Sequence, residues 1–485
     1  MTLLDGQVWT SDIYVDGWRP GRGEPWQVRE PATGNIIGRV GTATTEDVAE
    51  AAAKAAKAQH AWQNTPYDER AAVLRRAGDL WNVHSGEVQE WLIREAGSIG
   101  PKAGLETHIA AQECFEAAAL PSHPMGDVLP STEPRWSMAR RRPVGVVSVI
   151  APFNFPLILS IRSVAPALAL GNAVLLKPDP RTAVCGGVTL MRVFEEAGLP
   201  PGLLQMLPGG ADIGQALVTT PEVRVVSFTG STAAGQAVGE LAGKHLKRAH
   251  LELGGNNALI VLPGADLERA TSAGAFGSFM HQGQICMTTG RHLVHESMHD
   301  AYVEALASTA SHLPVGDPHR GEVALGPIID EKQVARIHRI VKSTVEAGAR
   351  LAAGGTFEGP FYRPTVLAQM EPSMPAYTEE VFGPVAPVVP FSSHEEAIGL
   401  ARRSEYGLSL GILGDVGTAM EIADSVPSGI VHINEQTVAD EANVPFGGVG
   451  ASGTGSRFGG PTANIEAFTE TQWLTARPQI APYPF

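Results

Sequence analysis

From residue 144 onward the sequence alternates short apolar runs with longer helix-like stretches, and this rhythm restricts the fold more than any other feature. The runs are 144–150, 173–176, 203–207 and 223–228, each of strand length. Between them, 157–170, 182–197 and 211–219 read as helices. Strand and helix alternating at this spacing is the pattern of parallel βαβ units. After Gly254-Gly255 a second set begins. It has strand-like 258–262, helix-like 266–280, strand-like 292–295 and a long helix over about 330–347. Further strands are expected at 385–389, 409–413 and 430–434. The fold class is therefore α/β, with two units joined at a Gly-Gly hinge. The first forty residues read as short strands with turns at Asp16-Gly17 and Thr33-Gly34. Helices follow, one from Thr44-Thr45-Glu46-Asp47 to about Trp62 and one after Pro66. Segment 121–142 and the tail after about Ser456 fit neither set.

A length of 485 residues exceeds one ordinary domain. Apolar residues at 44% and charged residues at 18% exclude a disordered chain. The net charge of −15 argues against nucleic acid, whose phosphates need a cationic face. Cys114, Cys185 and Cys286 are too few for a disulfide framework, and their scatter gives no metal-ligand spacing, so no metal is expected. The opening residues carry neither a basic nor an apolar leader segment, so a cytoplasmic protein is expected. One uncharged run, 143–161, approaches the length of a membrane span. Pro152, Asn154 and Pro156 in its middle argue for a strand, a turn and a helix instead, so no membrane association is expected.

Four short motifs carry chemistry. Cys286 lies in His281-Gln282-Gly283-Gln284-Ile285-Cys286-Met287, a polar, glycine-containing stretch that suits a reactive thiol. The ordinary fate of a cysteine is burial as a small hydrophobe, which Cys114 and Cys185 fit better. Glu252, between Leu251 and Leu253 and before Gly254-Gly255, is an unusual carboxylate for a strand. Burial would raise its pKa and suit a general base; the competing reading is an edge-strand glutamate facing water. Asn154, in Pro152-Phe153-Asn154-Phe155-Pro156, ends a strand and can aim its amide into a cleft, or merely satisfy the turn. The turn Phe228-Thr229-Gly230-Ser231-Thr232 opens a helix and suits a pyrophosphate. Neither G-x-G-x-x-G after a strand nor a P-loop occurs. Lys177, ending another strand, adds a cation that could reach a ribose or phosphate.

Together with Glu379-Glu380-Val381-Phe382-Gly383-Pro384 and Pro445-Phe446-Gly447-Gly448, these motifs and their order resemble the aldehyde dehydrogenase superfamily over nearly the whole chain. The 281–287 stretch and Ile433-Asn434-Glu435-Gln436-Thr437 look most like its benzaldehyde and vanillin dehydrogenase branch. The resemblance implies Cys286 as nucleophile, Glu252 as the base that activates water, and Asn154 with the Cys286 N–H as oxyanion hole. It implies Lys177 on the adenosine ribose, Gly230 and Ser231 at the pyrophosphate, Glu380 on the nicotinamide ribose and Phe382 at the nicotinamide end. Phe155 and Phe446 would line the substrate pocket. The implied domains are a Rossmann-like cofactor domain (1–120 and 143–252), a catalytic domain (253–440) and an oligomerisation arm (121–142 and 456–485). The resemblance further implies a homodimer or homotetramer acting on a small aromatic aldehyde. One departure concerns the cofactor. Many NAD-preferring relatives carry an acid three residues after the lysine, where this chain has Pro180, flanked by Asp179 and Arg181. NAD is expected, with NADP possible. The competing readings are a CoA-acylating relative, which Glu252 argues against, and a catalytically silent nucleotide-binding relative.

Overall fold

A computed structural model describes residues 2–485. Two seven-stranded sheets organise it. The first has the order Arg248–Glu252, Val223–Thr229, Val146–Ile150, Ala173–Lys177, Leu204–Met206, Asp12–Tyr14 and Trp18–Pro20. Its first five strands are parallel and the last two antiparallel. The second runs Arg350–Ala353, Thr365–Ala368, Val385–Phe391, Thr289–His295, Asn257–Val261, Ser409–Leu413 and Ile430–Ile433, parallel except at the Arg350–Ala353 edge. Strands Val146–Ile150, Ala173–Lys177 and Asn257–Val261 are buried at every position, because helices cover both faces. In the second sheet, Ile260 and Leu293 pack into one apolar cluster, while Leu259, Val261 and Val294 face another.

Chain order places the cleft. From Val146–Ile150 the first sheet grows through Ala173–Lys177 to one side, then returns to add Val223–Thr229 on the other. Adjacent loops therefore leave in opposite directions at the carboxyl ends of Val146–Ile150 and Val223–Thr229, and a crevice opens there. The edge strand ending at Glu252 passes through Gly254-Gly255 directly into Asn257–Val261. The carboxyl edge of the first sheet thus meets the amino edge of the second.

The run 143–161 divides into strand Val146–Ile150, a loop, and helix Pro156–Ala169. Among the described residues no helix is long and apolar enough to cross a membrane. Helix Thr45–Trp62 starts where expected, with Asp47 accepting the Thr44 N–H at 3.0 Å. The helix expected over 182–197 is broken. A 3₁₀ turn Pro180–Thr182 and a π-helical turn Val184–Val188 precede Thr189–Glu196. The cause is tertiary: the Glu95 carboxylate takes the N–H groups of Val184 and Cys185, and Gly186 sits against Pro156. Strands Gly126–Val128, Trp136–Pro143 and Thr469–Ala476 form a separate antiparallel sheet. Between Ser456 and that last strand, helix Pro461–Phe468 sends Ala467 and Phe468 into the core of the first sheet.

Candidate active site

Cys286 lies three residues before strand Thr289–His295, at the amino edge of the second sheet. Asn257, at the start of the neighbouring strand, donates its amide to the carbonyls of Cys286 and Thr288, both at 2.8 Å. His281, Gln282 and Gly283 in the approach have φ of 47°, 56° and 67°. Left-handed backbone costs a non-glycine residue on the order of 1–2 kcal/mol, so tertiary contacts must hold this turn. They do: Gln282 donates to the carbonyls of Gly97 and Pro327, and the Ile329 N–H donates to Gln284. Gly283 admits no side chain, since a Cβ would stand 2.1 Å from the Gly383 carbonyl oxygen. The Cys286 N–H has no backbone partner among the described residues.

The cleft is a cavity of about 590 Å³ lined by Asn154, Lys177, Gly230, Ser231, Cys286, Glu380 and Phe382. Seven positions singled out from sequence therefore line one cavity. Glu252 ends its strand beside this cavity, with 4% of its surface exposed, and both carboxylate oxygens lack a hydrogen-bond partner. Burial pushes its pKa well above the ordinary carboxylate range, against the pull of Arg457 and Arg162. A buried carboxyl without a partner is uncommon enough to need a cause. Phe155 and Phe446 join Ile285, Met287, Leu408 and Val438 in an apolar cluster against Cys286. Burial first, then the nearby Glu380 and Glu252, push the Cys286 thiol up to about 12.

Glu380 crosses from the second sheet to the hinge. Its Oε1 accepts the Gly255 N–H at 3.0 Å, and a Cβ on Gly254 would stand 2.4 Å from its Oε2. The glycine pair is thus a close-approach site for a carboxylate. Burial raises Glu380 to about 7. Arg336 holds the segment by donating to the carbonyls of Glu380 and Val381. Phe382, at φ 54°, meets the Phe153 ring edge-on at 5.9 Å.

A second cavity of about 1140 Å³ shares Ile150, Lys177, Phe228 and Ala234 with the first. It runs between helices Ala211–Thr219 and Thr232–Lys244, and Ser231 caps the second of these. Lys177 is buried, and that lowers its pKa while Asp179 and Asp212 pull it back up. Two connected cavities, a buried lysine at a strand end and a serine-capped helix fit an extended anionic dinucleotide. The Asp179 carboxylate is turned onto Arg181, accepting from its N–H, Nε and Nη2. Arg181 also pairs with Asp330 at 2.7 Å and stacks 4.1 Å from the Phe153 ring centre. Neither side chain is free.

Sequence reading missed Lys102, Glu106, Glu113, Arg162 and Asp440. Arg162 bridges Glu113 at 2.9 Å and Asp440 at 2.6 Å and lies 5.0 Å from the Phe446 ring centre. Their signal was faint: four charged residues in helical stretches and Asp440 in a loop, without local motif.

The aldehyde dehydrogenase family model matches residues 18–474. A vanillin dehydrogenase of Amycolatopsis sp. is 67% identical over the full length of both chains. A benzaldehyde dehydrogenase (NAD+) of Pseudomonas putida is 49% identical, over 99% of this chain and 98% of its own. Among solved structures, a salicylaldehyde dehydrogenase from Pseudomonas putida G7 complexed with salicylaldehyde superposes with a TM-score of 0.94. It is 35% identical and covers 98% of this chain and 99% of its own.

Proposed function

The chain belongs to the aldehyde dehydrogenase family, and from that premise we propose that it oxidises an aromatic aldehyde to the carboxylic acid with NAD as electron acceptor. One observation carries the reading. A single cavity gathers Cys286, Asn154, Glu380, Lys177 and Ser231, and the orphaned carboxyl of Glu252 borders it. Relatives named for vanillin, benzaldehyde and salicylaldehyde, and the apolar wall of Phe155 and Phe446, support the aromatic ring.

Cys286 is the nucleophile. Its proton leaves to a neighbouring carboxylate, and the thiolate adds to the aldehyde carbon. The carbonyl oxygen becomes an oxyanion held by the Asn154 amide and the Cys286 N–H; such a donor is typically worth about 2.7–4 kcal/mol. A dinucleotide in these cavities would supply the hydride acceptor, the hydride leaving the adduct carbon to give a thioester on Cys286. Glu252 then draws a proton from water, which attacks the resulting thioester at Cys286 and releases the acid. Lys177 and Ser231 would hold the adenosine ribose and pyrophosphate, with Gly230 leaving room, and Glu380 would hold the nicotinamide ribose beside Phe382. Residues 1–120 and 143–252 serve as cofactor domain and 253–440 as catalytic domain. The sheet of 121–142 and 456–485, with Trp136 and Trp473 exposed, forms the arm of a cytoplasmic homodimer or homotetramer.

Reduced cofactor should accumulate with benzaldehyde and NAD, with higher kcat/KM than for acetaldehyde. Glu252→Gln should trap an acyl adduct on Cys286, visible as added mass. A variant with normal turnover and no adduct would remove Glu252 from the mechanism, and a preference for acetaldehyde would remove the aromatic assignment.

A further inference from the structure

Helix Gly100–Ala119 carries Lys102 and Glu106 at i and i+4, both with fully buried side chains, directly behind the loop that presents Asn154. Lys102 Nζ donates to Glu106 Oε2 at 2.5 Å and to the Asn154 carbonyl at 2.9 Å. Its third N–H direction is taken by the face of Phe155, with Nζ 4.3 Å from the ring centre. Glu106 Oε1 accepts the N–H of Leu157 at 2.8 Å and of Ile158 at 3.3 Å. These are orphan donors in the first turn of helix Pro156–Ala169. The pair therefore grips the backbone at Asn154 itself and again three and four residues later. Phe155, between those grips, packs edge-on against His281 of the Cys286 loop at 5.5 Å.

A pair like this is poorly explained by stability. A buried ion pair seldom outperforms apolar residues of equal volume, because both ions lose their hydration. Its bonds beyond the pair all end on the 154–158 segment. That segment joins a strand end to a helix start and carries an amide whose use depends on placement. A misplacement of about 1 Å at a reacting centre can cost roughly a hundredfold in rate.

We propose that Lys102 and Glu106 are positioning residues that fix the Asn154 amide and, through Phe155, its alignment with the Cys286 loop. The inference rests on the reading of Asn154 as an oxyanion donor.

The test is a mutant cycle in the full-length enzyme, with benzaldehyde and NAD as probes. Lys102→Met with Glu106→Gln keeps volume and removes both charges together, so neither is left unpaired. This double variant should bind NAD as the wild type does and keep its KM for benzaldehyde, while kcat falls by about tenfold or more. In an Asn154→Ala background the same change should cost less than about twofold further, because the group it positions is gone. A purely structural role predicts the full loss in both backgrounds, and that result overturns the proposal; so does an unchanged kcat in the folded double variant. Should the double variant not fold, Lys102→Arg and Glu106→Asp keep the charges and shift the grip. A kcat loss that Asn154→Ala abolishes supports positioning, and an unchanged kcat overturns it. Wild-type kcat in Asn154→Ala alone sinks the oxyanion reading and the positioning role with it, whereas multiplying losses sink the positioning role alone.

Discussion

Cys286, the proposed nucleophile, is held in reserve by its surroundings. Burial and the carboxyls of Glu380 and Glu252 keep its thiol near 12, well above a free cysteine. In the cofactor-free enzyme its alkylation by iodoacetamide should therefore rise steadily with pH up to at least about 10, since only the thiolate reacts. Cys286→Ala serves as the control, and should lose aldehyde oxidation while keeping NAD affinity. A reaction rate that levels off below about pH 8 would mean the thiol is activated before the cofactor arrives. A second residue-scale expectation concerns the cofactor. Position 180 is proline, and Arg181 occupies the Asp179 carboxylate. At the proposed ribose end Asp179 is thus paired, leaving Asp212 as the acid near Lys177, and NAD should be preferred over NADP only modestly. Arg181→Ala frees the Asp179 charge and should sharpen NAD preference, while Asp179→Ala should weaken it. The ratio of kcat/KM for the two cofactors reads both; an NADP preference above about tenfold, ~1.4 kcal/mol, contradicts the assignment. At this scale the sequence was informative where chemistry leaves a local mark: glycine beside a thiol, proline around an amide, leucines around a carboxyl. It was silent on Lys102 and Glu106, whose meaning lies in contacts some fifty residues away.

Elements were legible in proportion to how far their own residues decide them. Strand Ser409–Leu413 and helix Ala211–Thr219 lie where the apolar pattern puts them. The π-turn at Val184–Val188 could not be read, because Glu95, almost ninety residues earlier in the chain, takes its N–H groups. The edge strand Arg248–Glu252 shows the same dependence on distant chain. His250, two residues before Glu252 and on the same face, bonds the Ala467 carbonyl at 3.0 Å and packs between Phe458 and Phe468. The tail thus clamps the strand that carries the proposed base. Burial lowers the His250 pKa to about 4. The unfolded chain binds this proton near pH 6.5, so the contribution is full above that value and shrinks as pH falls toward 4. Lowering the pH from 7.5 to 5.5 should cost His250 about 1.4 kcal/mol, whatever the other groups do. His250→Gln keeps a donor for Ala467 but cannot titrate. Denaturant unfolding at both values should therefore show the variant less stable at pH 7.5 and losing about 1.4 kcal/mol less on acidification. Equal losses in both proteins would place a charged histidine in the folded state.

At the scale of the whole molecule the cleft belongs to neither sheet. Lys177, Gly230 and Ser231 come from the carboxyl edge of the first, while Cys286, Glu380 and Phe382 come from loops at the amino edge of the second. Three ties close the gap between them. The Gly255 N–H binds Glu380, Ser452 donates to the Gly254 carbonyl at 2.7 Å, and Arg181 reaches Asp330 at the head of helix Glu331–Glu346. A ligand spanning both walls adds to these ties and binds only when the two halves are assembled. Saturation at about a hundred times Kd would stabilise the folded chain by ~2.7 kcal/mol. That free energy should be shared between the halves, a consequence the sequence could not give because it depends on how two edges face each other. Hydrogen exchange followed by mass spectrometry, with and without NAD, measures the sharing. Protection should rise in 228–234 on the first wall and equally in 379–383 on the second, and stay level in Glu296–His312 on the far face of the second sheet. Glu380→Ala should abolish the rise in 379–383 while leaving that in 228–234, since Lys177 and Ser231, proposed for the adenosine end, remain. Protection confined to 228–234 in the wild type would mean that the cofactor is read by one wall alone, and that Glu380 serves the hinge and not the nicotinamide ribose.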